Sequence, residues 1–182
     1  MKVLIVVDMQ NDFIDGVLGT KEAAAIVENV VKRIENSQNE LILFTRDTHQ
    51  SDYLTTPEGK KLPVVHCIEA TDGWQLNAAV YHAWAQKDNK IIVPELIDNC
   101  FNKAVFGSLE LVAFLNDRAQ EITEIELLGV CTDICVISNA IMIKNTIPHI
   151  KISVNSKCCA GVTAQSHTEA LNVMKMCHID VF

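Results

Sequence analysis

The sequence lacks a long apolar run near its start and lacks an excess of positive charge, and both absences narrow what it can be. The first apolar stretch, Val3 to Val7, covers five residues and stops at Asp8. A secretory core needs ~7–15 such residues and a membrane span ~20, so neither a leader nor a span is expected. Lysine and arginine number 15 against 23 Asp and Glu, a formal net charge of −8. A nucleic-acid binder normally shows a clustered basic face, so no nucleic-acid partner is expected. Seven glycines and four prolines are too few for a collagenous or low-complexity chain. The nucleotide fingerprints G-x-G-x-x-G and G-x-x-x-x-G-K-[ST] are missing, as is the G-x-S-x-G elbow of serine hydrolases. Seven cysteines are present, at 67, 100, 131, 135, 158, 159 and 177, but none form a C-x-x-C pair. That removes the zinc-ribbon and thioredoxin-type readings. Scattered thiols without a leader predict a cytoplasmic chain with reduced cysteines.

What remains is a chain of 182 residues, 49% hydrophobic, which predicts one domain over 1–182 that buries ~70% of its unfolded surface. Short apolar runs alternate with helical patterns. Lys2–Val7 (KVLIVV), Leu41–Thr45, Lys90–Val93 (KIIV), Glu124–Val130, Ile150–Val154 and Ile179–Phe182 read as strands. The β-branched, unalternating first run is what a strand buried on both faces looks like. Ala23, Val27, Val30, Val31 and Ile34 repeat at helical spacing. Further helices are expected near Leu76–Gln86, Leu109–Leu115, Cys135–Lys144 and Gln165–Cys177, the last capped by Thr163 or Ser166. This alternation predicts a three-layer α/β/α fold with a parallel sheet and right-handed crossovers. A homo-oligomer is compatible with such helices, but the sequence does not specify one.

Ligands of open parallel sheets bind beyond the carboxyl ends of the strands, so chemistry-bearing residues there carry weight. Asp8 follows the first strand, Asp47 and His49 the second, Lys103 the third, and Cys131, Asp133 and Cys135 the fourth. Cys135 falls at the start of the expected helix, where the dipole and a nearby ammonium would lower its pKa and favour the thiolate. The bland reading is a small buried hydrophobe. Asp8 is either desolvated or paired with Lys103, and both states suit a general base; a turn-capping Asp reads equally well. Asp47-x-His49 projects a carboxylate and an imidazole to one side of an extended segment, and Glu58 and His66 follow at the end of a long loop. Such ligands suit Zn, Mn or Fe, although a bare D-x-H also occurs as surface. Trp74 lies in a polar stretch and reads as packing or as a pocket wall.

VVDMQNDF at Val6–Phe13, TRDTH at Thr45–His49, HCIEATDGWQL at His66–Leu76, NKAVFGS at Asn102–Ser108 and GVCTDICV at Gly129–Val136 resemble the isochorismatase-like cysteine hydrolases, and within them the nicotinamidase-related amidases. The resemblance runs in order along nearly the whole chain. It implies a six-stranded, mostly parallel sheet and an Asp–Lys–Cys triad at Asp8, Lys103 and Cys135. It also implies a cis peptide at Val130–Cys131 that presents the Cys131 N–H, beside that of Cys135, to an oxyanion. The family's divalent metal maps onto Asp47, His49 and His66. Many members carry another His just after the D-x-H pair, where this chain has Asp52-Tyr53, and Glu58 is placed to serve instead.

The function implied is a metal-assisted cysteine amidohydrolase that cleaves a small amide, nicotinamide first, through a thioester. Phe13 and Trp74 would then wall the ring. Two other readings stand beside it. One is a carbamoyl or ureido amide hydrolase of the same superfamily. The other is a non-catalytic thiol-sensing protein in which Cys131 and Cys135 oxidise together.

Overall fold

The computed structural model describes residues 1–182. Strand β1 (Lys2–Val7) is buried from Val3 onward and ends at Asp8. A four-residue helix, α1 (Asn11–Ile14), leads to α2 (Lys21–Glu35), capped by the Thr20 hydroxyl accepting from the Ala23 N–H at 3.0 Å. Ala23, Ile26, Val30 and Ile34 turn inward at helical spacing. Next come β2 (Glu40–Asp47), α3 (Ala78–Ala85), β3 (Cys100–Lys103) and α4 (Leu109–Asp117). The chain closes with β4 (Glu124–Val130), α5 (Ile137–Thr146), β5 (Lys151–Ala160), α6 (Ala164–Met176) and β6 (Asp180–Val181). Thr163 and Ser166 cap α6 reciprocally.

All paired strands are parallel, in the order β3-β2-β1-β4-β5-β6. Helices α1 to α3 pack together on one face, and α4 to α6 on the other. One apolar cluster of 43 buried residues joins both faces to the sheet. The expected three-layer architecture with six parallel strands is therefore observed. In this order the chain winds outward from β1 in one direction and from β4 in the other, which opens a crevice at the ends of those two strands. The close fit of β4 against β1 depends on Gly129. Its φ is +119°, and a Cβ there would lie 2.1 Å from the Val7 carbonyl oxygen.

The third strand is displaced from its expected place. Lys90–Val93 forms no strand, because Ile91 and Ile92 face solvent, Pro94 interrupts the run, and a side chain takes its backbone groups. The Asn99 amide donates to the Ile91 and Ile42 carbonyls at 2.7 and 2.9 Å, while its oxygen accepts from the Val93 N–H at 2.8 Å. The ladder position beside β2 falls instead to Cys100–Lys103, paired with Phe44 through Asp47. Lys103 is consequently the last residue of a strand and not part of a loop. Residues 132–136, expected as loop and helix start, form a π turn, Thr132–Val136, ahead of α5. No helix is long and apolar enough to cross a membrane.

Candidate active site

Asp8 leaves β1 in the left-handed region, at φ 49°, a conformation that non-glycine residues adopt mainly where the surroundings enforce it. Thr45 enforces it here. The Asp8 N–H donates to the Thr45 carbonyl at 3.2 Å, and the Thr45 hydroxyl donates to Asp8 Oδ1 at 2.6 Å. The other oxygen, Oδ2, lies 2.7 Å from Lys103 Nζ. From the end of β3 the same ammonium reaches Cys135 Sγ at 3.6 Å and Asp47 Oδ1 at 3.5 Å. Three strand ends thus bring a carboxylate, an ammonium and a thiol together, each residue at most 6% exposed.

Burial decides the charge states. It pushes the Asp8 carboxyl above the usual carboxylate range, against the pull of Lys103. It pushes the Cys135 thiol well above its ordinary value, and the Asp8 charge adds to the shift while Lys103 opposes it. The lowered thiol pKa expected from a helix N-terminus is not found, since burial of the thiol and the Asp8 charge raise it against the pull of Lys103. Burial works against the Lys103 ammonium, yet Asp8, Cys135 and Asp47 together hold it protonated above the usual lysine value. The resting state is a thiol beside a carboxyl of raised proton affinity, with a fixed cation touching both.

The turn that carries Cys135 is tied to the segment that follows Lys103. Buried Asn139 donates to the Cys135 carbonyl at 2.8 Å and to that of Phe106 at 3.2 Å, and accepts from the Ser108 N–H at 2.9 Å. The Val130–Cys131 peptide is cis.

Next to the Asp8–Lys103–Cys135 group, Asp47, His49, Glu58 and His66 converge, their ligand atoms all within 4.8 Å of one another. Asp47 Oδ2 lies 2.9 Å from His49 Nε2 and 3.4 Å from His66 Nε2, and Glu58 Oε1 is 3.9 Å from His49 Nε2. His66 Nδ1 contacts the Val64 carbonyl at 2.8 Å. A carbonyl only accepts, so Nδ1 carries a proton, and against burial the Asp47 carboxylate facing Nε2 raises the proton affinity of the imidazole. His49 Nε2 is buried and makes no well-aligned hydrogen bond, with Asp47 Oδ2 at 2.9 Å the nearest oxygen of the cluster. Two carboxylates and two imidazoles so placed form a donor set for a divalent cation. Two ligands on one metal at ~2.0–2.2 Å stand ~3.4 Å apart at a tetrahedral centre and at most ~4.4 Å apart when trans, so a divalent ion fits once the widest pair draws in. The cluster can therefore hold a divalent metal. Against burial, the two imidazoles and Lys103 keep Asp47 well below the usual carboxylate range, so it is ionised.

Gln10, unread in the sequence, clamps Asp47 from behind, accepting from its N–H at 2.7 Å and donating to its carbonyl at 2.8 Å. Tyr53 packs its ring 4.5 Å from that of His49 and 4.9 Å from that of His66. Phe13 lies 5.6 Å from the His66 ring. Trp74 is covered by the Arg46 guanidinium at 3.7 Å and donates to Thr48 at 2.8 Å. A cleft of about 690 Å³ opens on the site, lined by His49 and Glu58 of the cluster, by Ala104 beside Lys103, and by Ile134 beside Cys135. Phe106 is its aromatic wall, and neither Phe13 nor Trp74 is among its lining residues. The one signal for Phe106 in the sequence was its place three residues beyond Lys103.

The chain is similar to known proteins along nearly its whole length. The family model for the isochorismatase domain matches residues 2–181. The nicotinamidase of Schizosaccharomyces pombe is 27% identical over 207 residues, covering 98% of this chain and 91% of that protein. The crystal structure of pyrazinamidase/nicotinamidase from Streptococcus mutans superposes with a TM-score of 0.82 at 26% identity, covering 100% of each chain. That of nicotinamidase/pyrazinamidase from Bacillus subtilis gives 0.81 at 26% identity, covering 99% and 98%.

Proposed function

The chain belongs to the isochorismatase family, and from that premise we propose a metal-assisted cysteine amidohydrolase that cleaves a small amide, nicotinamide first, to the acid and ammonia. One observation carries this reading. The Lys103 ammonium touches Asp8, Cys135 and Asp47 at once, at 2.7, 3.6 and 3.5 Å, so the nucleophile and the metal cluster share one charge.

The residues divide the work as follows. Asp8 takes the proton from Cys135 Sγ as sulfur attacks the amide carbon, and Lys103 compensates the new thiolate. The backbone N–H groups of Cys131 and Cys135 take the oxyanion. Asp8 then passes its proton to the leaving nitrogen, the C–N bond breaks, and ammonia departs from a thioester. Asp8 next removes a proton from water, the hydroxide displaces sulfur, and Asp8 returns that proton to the thiolate. Asp47, His49, Glu58 and His66 would hold the divalent metal, Zn, Mn or Fe, which as a Lewis acid orients and polarises a ring nitrogen or water. Burial of every reacting group excludes bulk water and strengthens these interactions. The apolar cluster continuous across the sheet supports a single domain over 1–182, and seven free thiols support a cytoplasmic setting.

Ammonia release from nicotinamide by metal-replete protein, run beside Cys135→Ala, tests the reading. Release that falls by at least roughly 10³-fold in the variant is the expected result. Equal release from both proteins would remove Cys135 as nucleophile. Release from neither would remove nicotinamide, and a panel of carbamoyl and ureido amides would then show whether any amide is cleaved.

A further inference from the structure

The π turn Thr132–Val136 is closed by the Ile134 and Val136 N–H groups donating to the Cys131 carbonyl at 3.1 and 3.0 Å, and the Cys131 side chain makes no capping bond. A turn this wide is rare and weakly self-supporting. Asn139 holds one side of it. The other side is held by the junction between β5 and α6. The Asp133 carboxylate accepts from the Val162 N–H at 3.1 and 3.2 Å, and Thr132 Oγ1 shares a 2.8 Å hydrogen bond with His167 Nδ1. Thr132 is fully buried, and half-buried His167 is the partner of its hydroxyl. His167 stands in the first turn of α6, which the Thr163–Ser166 capping box fixes. Gly161 permits the approach, since a Cβ there would lie 2.9 Å from the His167 Cβ.

We propose that His167 is a positioning residue for Cys135, setting through Thr132 where the nucleophile's turn stands relative to Lys103 and Asp8. The inference rests on the amidase reading for its kinetic consequence, though its geometry does not. Burial holds the imidazole below the usual histidine value, with Asp133 opposing, so the bond to Thr132 joins neutral groups at neutral pH. An asparagine places its amide where Nδ1 stands, whereas a glutamine reaches to the position of Nε2.

The test compares His167→Ala, His167→Asn, His167→Gln and Thr132→Val. Three quantities are read: kcat and KM for ammonia release from nicotinamide, the rate of Cys135 alkylation by iodoacetamide resolved by peptide mass spectrometry, and Tm. A displacement of about 1 Å costs on the order of 10²-fold. His167→Ala should therefore lower kcat by about 10- to 100-fold with KM little changed, and should slow alkylation. His167→Asn should restore most of both, and His167→Gln should not. Thr132→Val removes the same bond from the other end and should repeat the alanine result even where His167→Ala folds poorly. Wild-type kcat and alkylation in His167→Ala, or an equal fall in His167→Asn, would overturn the proposal. Alkylation breaks a C–I bond and hydrolyses no amide, so a protein that cleaves no amide would sink the amidase reading, while slowed alkylation in its His167→Ala variant would leave the positioning role standing.

Discussion

Lys103 is a buried cation held by two buried carboxylates, and its removal should be felt in stability as well as in activity. Lys103→Met would leave Asp8 desolvated with no counter-charge, and breaking a buried pair from one side costs ~3–5 kcal/mol. Urea denaturation should show a loss of that order. The double variant Asp8→Asn, Lys103→Met should recover part of it, because the orphaned charge is then gone. A double variant no more stable than Lys103→Met would mean that Asp8 is not charged in the folded protein. Both variants should lose ammonia release almost completely and non-additively, as residues acting as one unit do. At this scale much of the site was legible. Asp8, Lys103 and Cys135 each close or follow a strand, and a parallel sheet gathers strand ends at one edge. Gln10, Thr45 and Asn139 were not legible, because a polar residue that bonds backbone groups far along the chain has no local pattern. The thiol's proton affinity was misread for a related reason: sequence gives the helix position of Cys135 but not the depth of its burial.

Single elements show where apolar pattern misleads. KIIV carries more β propensity than CFNK, yet the latter pairs with β2 because Asn99 captures the backbone of the former. Asn99 sits at φ 52°, a conformation that costs most other residues ~1–2 kcal/mol. Its three hydrogen bonds serve groups whose exposure to an apolar interior costs ~1–3 kcal/mol each. Asn99→Ala should lower the unfolding free energy by on the order of 3 kcal/mol, read from urea midpoints, and a loss below about 1 kcal/mol would show the strap to be dispensable. Helix α6 supports a prediction of a different kind. Burial depresses the His167 pKa from its ordinary 6.5, so the unfolded chain binds the extra proton at higher pH than the folded one. The stability this contributes is complete above 6.5 and declines as pH falls through the depressed folded value. His167→Asn should flatten that acid-side decline in urea midpoints measured from pH 6.5 downward. An unchanged slope would place the titrating group elsewhere.

For the whole molecule, winding outward from β1 and from β4 places the Asp8–Lys103–Cys135 group and the metal cluster at one switch point, so an ion bound to the second should be felt by the entire fold. Asp47 closes β2, while His49 and His66 are joined by the pairing of His49 with Ile68 across the long loop. An ion there would bridge the sheet to residues 49–68, a segment whose length and polarity in the sequence showed only a loop. The anionic surplus of the chain does not oppose this, since Asp47 and Glu58 present negative charge to the incoming cation. Saturation at about 100 times Kd adds ~2.7 kcal/mol, and at this chain length each kcal/mol moves Tm by ~2–4 °C. Metal-stripped protein should therefore melt about 5–10 °C below protein reloaded with Zn, Mn or Fe. Ammonia release from nicotinamide should disappear and return with the same additions. His49→Ala should melt at one temperature with or without added metal, while keeping the wild-type rate of iodoacetamide alkylation at Cys135, because Asp8 and Lys103 remain. A Tm indifferent to metal in the wild-type chain would leave the cluster held together by protons alone, and catalysis would then have to proceed from the Asp8–Lys103–Cys135 group unaided.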